Sequence, residues 1–410
     1  MEESMANPAD YILVGGDYYK LSRYVDDTGK TSIRRLPWQK WRLNLDFKNN
    51  PADKDQILRY DAFCNEPMHI NYQRSLGNYY NCYEDIEIVP KAGSWETTRK
   101  FLEHLFGDMV EVIYDLLTIL YKYPKQMLPI LLLISRQKQT GKTTFLNYLH
   151  LIFKDNVAML TNDALRSKFN SDWAQKILVL IDETLLSRTE DSERLKAMST
   201  AEYGTLESKG KDRYPIKTYH KFVMCSNNPD TPIWIEEDDD RYLVIDVPPL
   251  QKKIPGLLSS LEKEIPAFIH FLLNREMKYP EPQERMWFPM KELETPALRR
   301  IKRACGPKGE IDLAESLLSL MKHYKVDKLE YTLKDLAELL KAFDIRLNVT
   351  VRDIIRKRWQ LEPAPSNMTY WRYNVYQVDE EVGGQNSKGR YFTFTREFVE
   401  KIIREKDWKR

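Results

Sequence analysis

The segment LLLISRQKQTGKTTFLNYL, residues 131–149, sets a glycine, a lysine and two threonines between an apolar run and a helical one. A phosphate-cradling loop needs backbone N–H groups turned inward, a helix start behind them, a lysine that reaches the terminal phosphates and a hydroxyl for Mg²⁺. Lys138, Gln139, Thr140, Gly141, Lys142, Thr143 and Thr144 supply all four: Gly141 admits a close backbone approach, Lys142 carries the ammonium and Thr143 the hydroxyl. The full phosphate-loop pattern begins with a second glycine, and here Arg136 stands in its place. That glycine serves the tight turn into the loop, so its absence implies a wider entry rather than a lost phosphate contact.

Forty positions after Lys142, the apolar run ILVLI ends in Asp182 and Glu183. A strand tip of this kind sets the first carboxylate on a metal's water shell and the second beside an attacking water, the arrangement for metal-assisted hydrolysis of a nucleotide. A further apolar run, FVMC, leads into Ser226 and Asn227. An uncharged amide beside the carboxylate strand holds the water or touches the γ-phosphate; the same residues also suit a plain Asn-Pro turn. Arg241 follows the acidic run EEDDD and precedes another apolar run. Two roles fit it: a finger reaching a neighbouring subunit's nucleotide, or an internal ion pair with Asp238, Asp239 or Asp240.

Before the Asn227 strand lies ESKGKDR, residues 207–213, bounded by YGTLE and YPIK. It reads as a basic loop between two extended segments, and Lys209, Lys211 and Arg213 suit the sequence-blind phosphate contacts of a protein moving along single-stranded DNA. A solvated hairpin turn is the plain alternative.

The elements that must position these groups follow from composition and pattern. At 410 residues, 42% hydrophobic and 30% charged, the chain has ordinary globular composition with room for two or three cores. A net charge of +2 gives no bulk attraction to nucleic acid, so such contact must come from local clusters: IRRLPWQKWRLN, with Arg34, Arg35, Lys40 and Arg42, and RDIIRKRWQ at 352–360. The longest apolar run, Leu128–Ile134, is too short to cross a bilayer, and MEESMANPAD lacks a signal peptide's basic start and apolar core. A cytoplasmic protein without a membrane partner is the expectation. Cys64, Cys82, Cys225 and Cys305 are too widely spaced for paired zinc ligands or a disulfide framework, which predicts reduced thiols.

Residues 1–107 predict a small α+β module that opens with a hairpin at DYILVGGDYYKL. SWETTRKFLEHLFG has helical spacing, with Ser94 as its cap and Gly107 as its stop, and a second helix ends before Pro124. Buried strands alternating with helices over 108–275 predict an α/β domain around a parallel sheet. Pro280, Pro282 and Pro289 mark a linker over 276–309. Over 310–410, three short helices precede the strands MTYWRYNVYQV and GRYFTFTREFV around the turn EEVGGQNSKGR, the ingredients of a winged-helix-like domain. Its third helix carries Arg352 and Arg356 one turn apart, candidates for DNA contact; a solvated helix face is the alternative.

Taken in order, RQKQTGKTT, LVLIDE, LKAMSTAEYGTLESKGKDRYPIKTYHKFVMCSN and DDDRYLVID resemble the motif string of the superfamily 3 helicases, the ring-forming AAA+ motors of viruses, phages and mobile elements. The likeness is to the phage and plasmid primase-helicase type related to the poxvirus helicase; it is good over about 108–250 and looser before that. It implies a P-loop AAA+ core using ATP and Mg²⁺, with Lys142 and Thr143 on the phosphates and metal, and Asp182 ordering the metal. Glu183 becomes the general base, Asn227 the sensor, Arg241 a finger supplied in trans, and Lys209 and Lys211 the DNA-gripping tip of a channel hairpin. The implied function is an ATP-driven homo-hexameric DNA helicase that moves 3′ to 5′ on single-stranded DNA during replication of a phage, plasmid or other mobile element. No zinc-ribbon cysteines or catalytic acid cluster precede the motor, which implies a separate primase. Two other readings remain: a nucleotide-dependent DNA-binding initiator or loader that barely unwinds, and an ATP-controlled assembly module without nucleic acid. A scaffold of the last kind has no need for ESKGKDR.

Overall fold

Apolar runs without alternation suit strands covered on both faces, and five such runs build the central sheet. They are β1 (Ile130–Ile134), β2 (Val157–Leu160), β3 (Leu178–Ile181), β4 (Lys221–Ser226) and β5 (Tyr242–Asp246). The strands hydrogen-bond in the order β5-β1-β4-β3-β2, and every pair is parallel. The protein is therefore mixed α/β with a parallel sheet, and every residue of β1, β3 and β4 is buried. The computed structural model describes residues 6–25, 31–186, 189–207, 213–236, 238–250, 252, 254–305, 308–343, 345, 350–374 and 383–407. They fall into two units, Met1–Trp234 with Asp239–Leu298, and Ile235–Asp238 with Arg299–Arg410.

In the first unit Ile134 lies beside Ser226 and Asp246, and Ile181 beside Met224, so β1, β3, β4 and β5 end on one edge of the sheet. From β1 the chain crosses to the far strand β2, works back through β3 and β4, and reaches the other side of β1 only with β5. A reversal of this kind opens a crevice outside the carboxyl ends of the strands.

Four helices supply much of the cover: α1 (Glu96–Phe106), α2 (Val110–Lys122), α3 (Lys142–Phe153) and α4 (Leu257–Asn274). α4 packs against the other three, and their apolar faces form one core with Leu131, Leu133, Leu178 and Leu180 of the sheet. α1 ends at Gly107 as expected, with φ 49°. Its start differs: the cap position is Trp95, not Ser94, and no side chain of its own segment caps it. Glu264 of α4 does so instead, accepting from the backbone N–H groups of Thr97 and Thr98 at 3.1 and 2.7 Å. A carboxylate there also complements the positive end of the helix dipole. Beyond α4, Met286, Trp287, Phe288 and Leu293 are buried in the same core.

Ahead of these helices the predicted hairpin forms, Tyr11–Val14 against Asp17–Val25, within a four-stranded sheet completed by Thr31–Trp38 and Leu58–Tyr60. The second unit has its own core, to which Leu317, Leu336, Leu339, Ile354 and Phe394 belong. Helices Lys308–Tyr324 and Leu333–Ala342 appear as expected, the latter capped by Thr332 and Asp335 in a reciprocal box. The third is short, Val351–Asp353, and runs into a π-turn over Ile354–Arg358. The expected pairing of the last strands is not found. Met368–Tyr373 pairs with the glycine-rich Gly384–Gly389, whereas Phe392–Thr395 pairs with Lys328–Tyr331. Glycine is needed in that strand because a Cβ on Gly384 would stand 2.3 Å from the Trp371 indole nitrogen. No helix among the described residues is long and apolar enough to cross a membrane.

Candidate functional site

The segment between β1 and α3 turns on two left-handed residues, Gln139 at φ 62° and Gly141 at φ 97°. Gly141 occupies the cap position of α3 without a capping side chain, so the first-turn N–H groups behind it face the crevice unpaired within the helix. Phe101 and Leu105 of α1 press on its back: a Cβ at Gly141 would lie 3.0 Å from Phe101 Cε2 and 3.3 Å from Leu105 Cδ2. His104 lies behind Thr140, with Nε2 3.3 Å from its carbonyl oxygen.

Lys142, the first residue of α3, points its ammonium across the end of the sheet while only 6% of its surface is exposed. The Nζ donates to Ser135 Oγ at 2.9 Å, Thr140 Oγ1 at 3.2 Å and Asn227 Oδ1 at 3.1 Å. All three acceptors are neutral, and among the described residues no carboxylate makes an ion pair with it. Burial holds its pKa below the ordinary lysine value, partly offset by Asp182. A buried lysine held only by neutral oxygens keeps its charge at a cost, which either loss of the proton or an added anion would relieve.

Thr143, one residue on, donates its hydroxyl to Asp182 Oδ2 at 2.7 Å. Asp182 follows β3 directly, and Oδ1 of the same carboxylate accepts from the Glu183 N–H at 3.0 Å. Glu183 is exposed with φ 55°, a left-handed backbone that turns the chain sharply after the strand. Asn162 holds this turn, donating to the Glu183 carbonyl at 3.1 Å and accepting from the Leu185 N–H at 3.2 Å. Lys138, Gln139, Thr140, Gly141, Lys142, Thr143, Thr144, Asp182, Glu183, Ser226 and Asn227 line one cleft of about 280 Å³.

Other expected residues lie elsewhere. Arg136 is exposed and 3.7 Å from Asp230, outside this cradle. Arg241 precedes β5, at the edge of the sheet opposite Lys142, where its Nη1 donates to the buried Asp239 at 3.0 Å. Lys196 flanks the same carboxylate at 3.4 Å. The two extended segments around ESKGKDR do pair, Tyr203–Leu206 antiparallel to Tyr214–Lys217. Arg213 at its end is exposed and bonded to Glu207 at 2.8 Å, while Lys209 and Lys211 lie outside the described residues. In the second unit Arg352 is exposed, and Arg356 is exposed and 3.2 Å from Glu362.

Several participants carry no motif of their own. Ser135, directly after β1, is a ligand of the Lys142 ammonium. Asn170 clamps the hairpin's first strand, donating to the Thr205 carbonyl and accepting from the Glu207 N–H, both at 2.8 Å. A serine following an apolar strand and an asparagine before a tryptophan loop are too common to single out.

Residues 133–241 match the model of a family of unknown function, DUF5906; that span opens in β1 and closes at Arg241. No curated protein matches the sequence. Among solved structures the chain is similar to the apo NrS-1 C-terminal region, with a TM-score of 0.60 and 15% identity over 89% of this chain and 95% of that one. An A-form apo structure of the same region gives 0.59 and 16% over 91% and 95%, and another 0.58 and 16% over 84% and 94%. At such identity the likeness is one of fold, and what the site does must be argued from this chain's own side chains.

Proposed function

We propose that the chain is an ATP-dependent, ring-forming DNA helicase of the superfamily 3 AAA+ type, working in replication of a phage, plasmid or other mobile element. The observation that carries the reading is the convergence of Lys142, the Thr143–Asp182 pair and Asn227 at the carboxyl edge of one parallel sheet, over an open helix N-terminus. In this reading the loop is a P-loop: the ammonium of Lys142 neutralises the terminal phosphates, and the N–H groups at the start of α3 cradle them. The donor set suits Mg²⁺, since the Thr143 hydroxyl and the Asp182 carboxylate are hard oxygens on one side of the cleft. Bound there, the metal would supply charge neutralisation across the β- and γ-phosphates. Glu183, exposed at the cleft, is the base for the attacking water, and Asn227, now holding the Lys142 ammonium, is freed to sense the γ-phosphate.

Arg241 stands a full strand away from this cleft; β5 has five residues, roughly 16 Å of strand. In this reading Arg241 leaves its ion pair with Asp239 and acts as a finger on a neighbouring subunit's nucleotide, in keeping with a homo-hexameric ring. Lys209 and Lys211 grip single-stranded DNA from the hairpin tip, Arg213 supports them, and the second unit adds winged-helix-like contacts through Arg352 and Arg356. Priming falls to a separate protein, and 3′ to 5′ movement rests on the resemblance.

Lys142→Ala and Glu183→Gln separate binding from turnover. The first should abolish nucleotide binding; the second should keep ATP bound while hydrolysis falls. Lys209→Ala with Lys211→Ala should leave hydrolysis intact and stop strand displacement. Hydrolysis without strand displacement in the unaltered chain would favour the initiator or loader reading, and hydrolysis unchanged in Glu183→Gln would remove the assigned base.

A further inference from the structure

The basic, tryptophan-bearing stretch IRRLPWQKWRLN is not used by the helicase reading, and the fold gives it a definite shape. Successive residues of a strand point to opposite faces. In Thr31–Trp38 this puts Arg34, Leu36 and Trp38 on one face, paired across the sheet with Ser22, Lys20 and Tyr18. Arg35 falls on the other face, tied down by Glu84 at 2.8 Å and set over the Tyr80 ring. The helix Lys40–Asp46 follows at once and adds Trp41 and Arg42 beside Trp38.

The result is an alternation of rings and cations. Lys20 Nζ lies 4.8 Å from the centre of the Trp38 ring, and the Arg42 guanidinium lies 5.4 Å from that ring and 5.3 Å from Trp41. Trp41 is 55% exposed and Leu36 40%. Among the described residues no ion pair neutralises Lys20, Arg34 or Arg42. Asp46 accepts from Trp38 Nε1 and the Tyr11 hydroxyl at 2.8 Å each. Core packing explains Trp38, but it does not require an exposed tryptophan and open arginines.

We infer that this face of the N-terminal sheet binds single-stranded nucleic acid, with Arg34, Lys20 and Arg42 on phosphates and Trp41 as a stacking platform for a base. Positive charge alternating with exposed aromatic rings is the pairing that sequence-tolerant single-strand binding uses, because every base has a π-face and every linkage a charge. The face is separate from the nucleotide cleft and the channel hairpin, so its binding needs no ATP.

The test is anisotropy of a labelled oligothymidylate with the full chain, without nucleotide, over a salt series. Trp41→Ala should weaken binding about fivefold or more, the loss of one stacked base. Arg34→Ala with Arg42→Ala should weaken it further and lower the slope of log affinity against log salt by about two, one for each phosphate contact. All three side chains are exposed, so melting temperatures should hold and folding does not confound the result. The fold-losses from Trp41→Ala and from the arginine pair should be the same on a Lys209→Ala/Lys211→Ala background, which keeps the site distinct from the hairpin. Unchanged affinity and slope in the Trp41 and arginine variants would overturn the inference, as would equal binding of duplex DNA. A change in oligomeric state without a change in oligonucleotide affinity would also overturn it, marking the face as a protein contact.

Discussion

Thr143 Oγ1 donates to Asp182 Oδ2 at 2.7 Å, joining a helix start to a strand tip 39 positions away in sequence. In the proposed site these two oxygens would hold Mg²⁺, the Thr143 hydroxyl directly and the Asp182 carboxylate through the metal's water shell, and the ion would supply charge neutralisation to the phosphates. Thr143→Val and Asp182→Asn should each erase the metal dependence of nucleotide binding. Measured with a fluorescent nucleotide, their affinity should be the same in Mg²⁺ and in EDTA, while the unaltered chain binds more tightly in Mg²⁺. Hydrolysis should fall by on the order of a hundredfold or more, the scale of losing metal charge stabilisation. A variant that keeps the full metal dependence would place the metal elsewhere.

Gly141→Ala strains the loop from two directions. The backbone there is left-handed at φ 97°, and the new methyl meets Phe101 Cε2 at 3.0 Å. Backbone strain of this kind costs about 1–3 kcal/mol, to be read as a lowered denaturation midpoint, and nucleotide affinity should drop with it. Adding Phe101→Leu relieves the contact but not the φ. The double variant should recover part of the stability and none of the binding; full recovery of binding would show that the ring, not the backbone, is the constraint.

The same loop shows how far the sequence reaches. ILLLI, LVLI and KFVMCS could be read as parallel strands because they lack alternation, and once they are parallel their polar ends must share an edge. The convergence of Lys142, Asp182 and Asn227 was legible for that reason. Three features were not. Glu264 caps α1 from 166 positions away, a contact no local pattern encodes, whereas Ser94 only looked like a cap. The glycines of GGQNSKG suggest a turn, but Gly384 makes room in a strand for Trp371 and Gly389 for Thr332, packing demands visible only in three dimensions. The lysine cradle needed Ser135, and a serine after an apolar run announces nothing.

Lys221 opens β4 at the far edge of the sheet, buried, with its ammonium given to the carbonyls of Pro124 and Tyr219 and, among the described residues, no acid in an ion pair with it. Burial pushes its pKa down to about 7, against about 10.4 in an unfolded chain. Between those values the unfolded state holds a proton that the folded state has shed. Stability from this group therefore rises with pH through that window, by at most about 1.4 kcal/mol per unit, and below about 7 both states are protonated and the slope vanishes. Lys221→Met leaves two carbonyls without a donor, so its stability at any one pH is a mixed result. The difference between the two chains is diagnostic. The unaltered protein should gain on the variant from pH 7 to 10 in denaturant titrations, and parallel curves would mean the ammonium stays charged throughout.

Asn170 touches neither nucleotide nor DNA in the proposed scheme. Its amide donates to the Thr205 carbonyl and accepts from the Glu207 N–H, and its own N–H donates to the Glu207 carbonyl at 3.2 Å, so one residue acts as an extra strand against the outer edge of the hairpin. The hairpin otherwise has two strands, and a pair that short is marginal in water. Asn170→Ala removes both side-chain bonds, worth about 0.5–1.5 kcal/mol each, and does so without altering a residue of the cleft. Amide exchange should speed up over Tyr203–Leu206 and Tyr214–Lys217, while nucleotide binding and basal hydrolysis stay level. If the hairpin carries force from nucleotide turnover to DNA, strand displacement must fall as it loosens. Faster exchange with undiminished unwinding would assign the coupling to another element, and unchanged exchange would show that Asn170 does not hold the hairpin.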